Sequence, residues 1–281
     1  LQRLLDYWIP RLSGAPPLLD LPTDGSRARS GRAHSAVRIH PLPAPIAAGV
    51  EHLCQAAGVT PFMVLLAAFK ALLTRLSGQE DLVIGTPIAG RTHLATEPLI
   101  GFFVSTIALR TDLSGSPTFR QLLDRVRNTV LEAQEHQDLP FEKLIEQLHP
   151  DRTARHHPVF QVLFNLVNFE NDLPPFKGLT VQREQPPEPD AKFDLTLYVR
   201  SQPGRLEFKA TYPSALFQES TIRRLLEQLQ QLLAIVVCSP DTQIHSPSLV
   251  LTSDRPCLPD ASVPLAAVPQ CALHEAFVTQ A

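Results

Sequence analysis

Apolar residues recur at helical spacing in three long stretches of the chain. Phe62, Leu65, Leu66, Phe69, Leu72, Leu73 and Leu76 follow the i, i+3, i+4 pattern of a helix with a buried face. Thr60 supplies an oxygen for the free N–H groups at its start, Pro61 sits where a helix needs no N–H, and Gly78 closes it. Ser116-Pro117 opens a second helix, with Phe119, Leu122, Leu123, Val126 and Val130 inward. Ile222, Leu225, Leu226, Leu229, Leu232, Leu233 and Val236 define a third. Leu1 to Leu12 reads as the end of a helix, stopped by Ser13-Gly14 and Pro16-Pro17, and Leu18 to Asp24 continues as an extended connector.

Between Lys192 and Tyr212 the pattern shortens to strict alternation. Phe193, Leu195, Leu197 and Val199 alternate with Asp194, Thr196, Tyr198 and Arg200, and the pattern resumes after Ser201-Gln202-Pro203-Gly204 with Leu206, Phe208, Ala210 and Tyr212. This predicts an antiparallel hairpin with one buried face. Leu82 to Gly85 reads as a short buried strand. Val159 to Phe169 is apolar on both faces except at Gln161, Asn165 and Asn168, which predicts a strand in the middle of a sheet. The fold class that follows is α/β, a mixed sheet packed with helices.

After Cys238 the periodicity ends. Pro240, Pro247, Pro256, Pro259, Pro264 and Pro269 punctuate a stretch read as a linker over residues 239–270, with Ile244, Leu249, Val250 and Leu251 as apolar anchors.

The 281 residues are 44% apolar, enough for a core, and the net charge of −3 gives no broad attraction to nucleic acid or anionic membrane. Basic residues cluster at Arg27, Arg29, Arg32 and Arg38, and at Arg152 and Arg155, either as phosphate contacts or as solvated surface. Cys54, Cys238, Cys257 and Cys271 form no C-x-x-C pair, which gives neither a metal site nor a disulfide framework and fits a reducing cytoplasm. The longest apolar runs, Phe62 to Phe69 and Leu232 to Cys238, are far short of the ~20 residues needed to span a bilayer. With no initiating Met and no leader, the chain reads as an internal piece of a longer protein.

Three motifs occur in one order: Leu99-Ile100-Gly101-Phe102-Phe103-Val104-Ser105-Thr106, ending at Arg110; His136-Gln137-Asp138-Leu139-Pro140-Phe141-Glu142; and Arg152-Thr153-Ala154-Arg155-His156-His157-Pro158-Val159-Phe160-Gln161. Together they resemble the C-terminal half of a condensation domain of non-ribosomal peptide synthetases, over roughly Leu1 to Cys238. Tyr7-Trp8 and Leu21-Pro22-Thr23-Asp24 match the helix and connector that lead from the first lobe of that family into the second. The resemblance implies the sandwich fold of chloramphenicol acetyltransferase. It also implies acyl transfer that joins two carrier-bound aminoacyl or peptidyl thioesters through an amide bond. Residues 271–281 resemble the opening of an adenylation domain.

The family's His-His-x-x-x-Asp-Gly motif, whose second His does the acid/base work, does not occur in this sequence. His156-His157 is followed by Pro158-Val159-Phe160 and matches a different family segment. No catalytic residue and no metal ligand is therefore assigned, and the chain alone is expected to be inactive. By resemblance Gly85, Thr86, Pro87, Arg91, Gly101 and Ser105 line the substrate tunnel on a floor loop, Ser105 standing where the family more often has Asn. Arg91 and Arg110 are candidates for buried charge partners or for substrate contacts. Arg110, His136, Asp138, Arg155, Asp194 and Thr196 are read as lobe-interface or structural residues, with Asp138 placed to cap the helix at Pro140-Phe141 and Glu142 to complement its dipole.

The chain is expected to carry no cofactor of its own, the substrates hanging on phosphopantetheine arms of partner carrier domains. The partners implied are carrier domains on both sides, an N-terminal condensation lobe and an adenylation domain in the same polypeptide, with no nucleic acid and no membrane. A non-catalytic module that binds carrier proteins, a heterocyclisation domain and an epimerisation domain remain as alternatives. The Gly-Phe-Phe-Val-Ser-Thr and Leu-Pro-Phe-Glu strings argue against the last.

Overall fold

The computed structural model describes residues 1–27, 34–148, 157–167, 178, 190–202 and 204–257. The chain divides into two units, Leu1–Leu249 and Val250–Ala281. In the second, a short 3-10 turn spans Arg255–Cys257. The elements of the first are α1 (Gln2–Leu12), β1 (Ser35–Pro41), α2 (Ala44–Ala57), α3 (Pro61–Ser77), β2 (Asp81–Ile88), β3 (Ser105–Asp112), α4 (Phe119–Glu135), α5 (Phe141–Leu148), β4 (Val162–Val167), β5 (Leu195–Gln202), β6 (Arg205–Pro213) and α6 (Glu219–Cys238).

Local chemistry sets the helix ends. Thr60 Oγ1 accepts from Met63 N at 3.4 Å, Pro61 occupies the first position, and Gly78 leaves α3 at φ 71°. The second predicted helix begins two residues later than Ser116-Pro117. Thr118 makes a reciprocal capping box with Gln121, and a box satisfies two free donors where Ser116, held at φ 48°, caps nothing. Every position assigned to the third helix is buried in α6.

The six strands run in the order β1-β6-β5-β4-β2-β3. β4 lies between β5 and β2 and is parallel to both, as its apolar faces imply, and the β5–β6 hairpin turns between Gln202 and Arg205. Phe62 and Phe69 of α3 pack on Phe164 at 5.4 and 5.9 Å between ring centres, which places α3 over β4. Because side chains alternate, Leu163 and its register partner Gly85 face the other way. There Phe141, His157, Phe160 and Phe193 form a cluster with centres 4.3–5.7 Å apart.

Residues 239–249 lie in the first unit. Phe119 N and Arg120 N donate to Thr242 O and Pro240 O, Ile244 N donates to Pro117 O, and the Ile244 side chain is fully buried. α3 is buried on all sides and carries one charge into the core, Lys70, whose Nζ donates to Leu109 O and Thr111 Oγ1, both at 2.7 Å. Burial lowers the Lys70 pKa to about 7, partly opposed by Asp81. Among the described residues no single helix is long and apolar enough to cross a membrane.

Candidate functional site: an exposed apolar hairpin and its supports

The link from β2 to β3 concentrates exposed apolar side chains. Five of the nine large apolar residues exposed in the described chain lie in it: Leu94, Leu99, Ile100, Phe102 and Val104, with Ile100 and Phe102 at 104% and 91% exposure. Gly85, Thr86 and Pro87 form the β2 side of its root, opposite Ala108, Ile107 and Thr106, and Ser105 begins β3 opposite Ile88. Thr86 is buried, Ser105 half-buried and Gly101 exposed at the tip.

Arg91 folds this link from within. Its guanidinium donates to the backbone oxygens of Thr96, of Glu97 at 3.2 Å and of Leu99 at 2.8 Å, and its Cζ stands 4.2 Å from the centre of the Phe103 ring. Gly90 takes φ 64°, and a Cβ there would meet Phe103 O at 1.9 Å. Gly85 is needed for a different reason: a Cβ would fall 2.1 Å from the Phe160 ring, so the aromatic cluster sits directly on the bare backbone of β2. Thr92 Oγ1 donates to Asp138 Oδ1 at 2.9 Å, joining the link to the loop after α4. Asp138 therefore holds a neighbouring loop, and no N-cap bond from it to α5 is found among the described contacts.

His136 ends α4. Its Nδ1 lies 2.8 Å from Glu132 O, its own carbonyl accepts from Trp8 Nε1 at 2.8 Å, and its ring stacks on Tyr7 at 3.8 Å. Its role is to seat α1. Arg110 seats the end of the same helix, donating to Arg11 O, Ser13 O and Gly14 O at 3.0, 2.8 and 3.3 Å while pairing with Asp81 at 2.6 Å. The Asp81 carboxylate holds the Arg110 pKa above its ordinary value. Asp194 pairs with Arg27 Nε at 2.9 Å, and Thr196 is buried between Leu163 and Thr211 in register. Their strand face is thus not a freely solvated one. Arg155 lies outside the described residues, as do residues 258–281.

The structure gathers Gly85, Thr86, Pro87, Arg91, Gly101, Ser105 and Asp138 on or against one hairpin, and sets Arg110, His136 and Asp194 as anchors of α1 and the connector. Sequence reasoning missed the partners of those anchors, Asp81 and Arg27, and two glutamines, Gln79 and Gln161. Gln161 had left a signal as a polar residue interrupting an apolar strand. A cavity of about 10 Å³ between the connector and β2 has room for at most one water and is no substrate site. Among the described residues no group of three metal-ligating side chains converges.

The site thus sits on a mixed α/β fold, a six-stranded sheet with helices packed on it and an exposed apolar hairpin. The chain belongs to the condensation domain family, whose model matches residues 1–258. It is 46% identical over 253 residues to a linear gramicidin synthase of Brevibacillus parabrevis, covering 89% of this chain and 5% of that protein. It is 41% identical to the phosphinothricin tripeptide synthetase PhsB of Streptomyces viridochromogenes, over 82% of this chain and 20% of that one. The chain therefore spans a small part of the synthetases it matches. Among solved structures, the X-domain from teicoplanin biosynthesis in complex with OxyB superposes with a TM-score of 0.81 at 29% identity, covering 89% of this chain and 55% of that one. A four-domain non-ribosomal peptide synthetase bound to AMP and glycine shares the fold, with a TM-score of 0.78 at 23% identity over 90% of this chain and 20% of that one.

Proposed function

We propose that this chain is the C-terminal lobe of a condensation domain that joins two carrier-bound aminoacyl or peptidyl thioesters by an amide bond. The observation that carries the reading is the exposed hairpin. Covering a large apolar side chain is worth about 1.5–3 kcal/mol, and five such side chains held out by a purpose-built Arg91 scaffold suit a surface closed by another body. In this reading the other body is the first lobe, which carries the His-His-x-x-x-Asp-Gly base. Gly85, Thr86, Pro87, Arg91, Gly101 and Ser105 wall the tunnel, and two phosphopantetheine arms meet there.

This lobe's contribution is positioning, since holding two reactants end to end lowers the barrier without a side chain that transfers a proton. The chain brings no cofactor. Its partners are the donor and acceptor carrier domains, and an adenylation domain in the same polypeptide reached through the linker at residues 239–270. The compartment is the cytoplasm.

Hydrogen exchange tests the reading. Adding a first lobe should slow exchange across residues 88–105 and leave α3 unchanged, while unchanged exchange in the hairpin refutes the assignment. The similarity to an X-domain held in complex with OxyB supports a second reading, a non-catalytic module that docks a partner protein. A degenerate His-His-x-x-x-Asp-Gly motif in the coding sequence ahead of Leu1 favours the module, and an intact one favours the enzyme.

A further inference from the structure

The connector between α1 and β1 is gripped by two glutamines. Gln161 Oε1 accepts from Leu19 N at 2.7 Å and its Nε2 donates to Pro17 O at 3.1 Å, while Gln79 Oε1 accepts from Asp20 N at 2.8 Å and its Nε2 donates to Leu18 O at 2.9 Å. Residues 17 and 19 go to one amide, 18 and 20 to the other. The amides hold the connector as a strand partner does, and a slip of one residue would turn its inward side chains outward. Leu19 and Leu21 are buried beside it.

The two amides lead to different places. Gln161 is itself buried, its Nε2 also donates to His157 O at 2.9 Å, and its backbone oxygen accepts from Asp194 N at 2.9 Å. His157 belongs to the aromatic cluster and Asp194 follows its Phe193, with the His157 ring tilted against Phe160 at 4.3 Å and Phe160 seated on Gly85 at the root of the hairpin. Gln79 leads away from that cluster. It accepts from Thr74 at the end of α3 through its backbone oxygen.

We infer that Gln161 is a positioning residue that couples the connector to the root of the β2–β3 hairpin, so that the two hold one relative geometry. The coupling rests on packing: Pro17 and Leu19 fix the amide, the amide fixes the His157 backbone, the His157 ring packs on Phe160, and the Phe160 ring fixes the backbone of Gly85. If the hairpin is the tunnel wall proposed above, the connector's placement then sets the wall. The inference stands on the fold alone, and its test has no catalytic readout, so its failure and that of the condensation reading are told apart.

The test is amide-resolved hydrogen exchange on the full chain, with residues 61–77 of α3 as the internal reference. Gln161→Met should speed exchange of Leu19 by about tenfold or more and also speed Thr86, Ile88 and residues 105–107, leaving α3 unchanged. Gln79→Met should speed Asp20 and leave the hairpin root at the wild-type rate. Coupling is reciprocal, so Gly85→Ala, which displaces Phe160, should speed Leu19 in turn. A hairpin root that keeps its wild-type rate in Gln161→Met overturns the inference, as does α3 accelerating as much as the root. Should that variant not fold, Gln161→Glu, whose carboxylate keeps the acceptor for Leu19 and loses the donors to Pro17 O and His157 O, should speed the hairpin root with Leu19 itself little changed, and a root at the wild-type rate there also overturns the inference.

Discussion

Replacing Lys70 with Met should remove a pH dependence that the folded chain owes to one buried amine. The Lys70 ammonium is wholly enclosed between α3 and β3, where loss of water drives its pKa from 10.5 down to about 7. The unfolded chain keeps the ordinary value. Between these limits the unfolded state binds a proton that the folded state does not, so stability rises with pH by about 1.4 kcal/mol per pH unit from this group. The contribution is complete above about 10.5 and lost as the pH falls to about 7. The Leu109 and Thr111 bonds do not reverse the sign, because a neutral amine donates as well.

The useful window is pH 7–9, since burial raises the Cys54 pKa to about 11 and its linkage, of opposite sign, begins above that window. Urea midpoints for the wild type and Lys70→Met at pH 7, 8 and 9 should diverge, the wild type gaining roughly 2–3 kcal/mol on the variant across the window. Parallel profiles would mean that Lys70 stays charged in the core, and the reasoning from burial would be wrong.

Other substitutions probe the supports. Gly85→Ala should cost about 1–3 kcal/mol by urea denaturation, because its Cβ overlaps the Phe160 ring. Ile244→Ala should cost about 2–4 kcal/mol, and a loss under about 0.5 kcal/mol would show that residues 239–249 are a tether instead of part of the fold. Arg110→Ala, which strips Asp81 and three carbonyls of their partner, should lower stability by about 2–3 kcal/mol and speed exchange in α1. Arg91→Ala should make residues 88–105 more susceptible to limited proteolysis with the urea midpoint nearly unchanged, since its bonds are confined to that link.

Much of this fold is written in local pattern. The apolar positions of α3 and α6, the central place of β4 and the β5–β6 hairpin all follow from spacing, which records whether an element buries one face or both. β1 and α2 went unassigned although Ile46, Ala47, Val50, Leu53 and Cys54 carry the helical spacing and Gly58 the left-handed stop. β1 is an edge strand with half-buried positions and little alternation to read. The motif match located the hairpin, yet what its residues do depended on partners far away in sequence. Arg110 meets Asp81 and the end of α1, Asp138 meets Thr92, and Asp194 meets Arg27. No spacing rule encodes such pairings, and Gln161 showed only that a polar group must be satisfied inside a strand.

We propose that this chain is one lobe of a two-lobed acyl-transfer site, and carrier-bound substrates test it directly. Donor-loaded and acceptor-loaded carrier proteins should be incubated with the chain alone and with the chain joined to a first lobe bearing His-His-x-x-x-Asp-Gly, and the acceptor carrier's intact mass read over time. A dipeptidyl mass increment is expected with both lobes and none with the chain alone. Transfer by the chain alone, undiminished when His157 is replaced by Ala, or no transfer by the joined lobes with both carriers loaded, would contradict it.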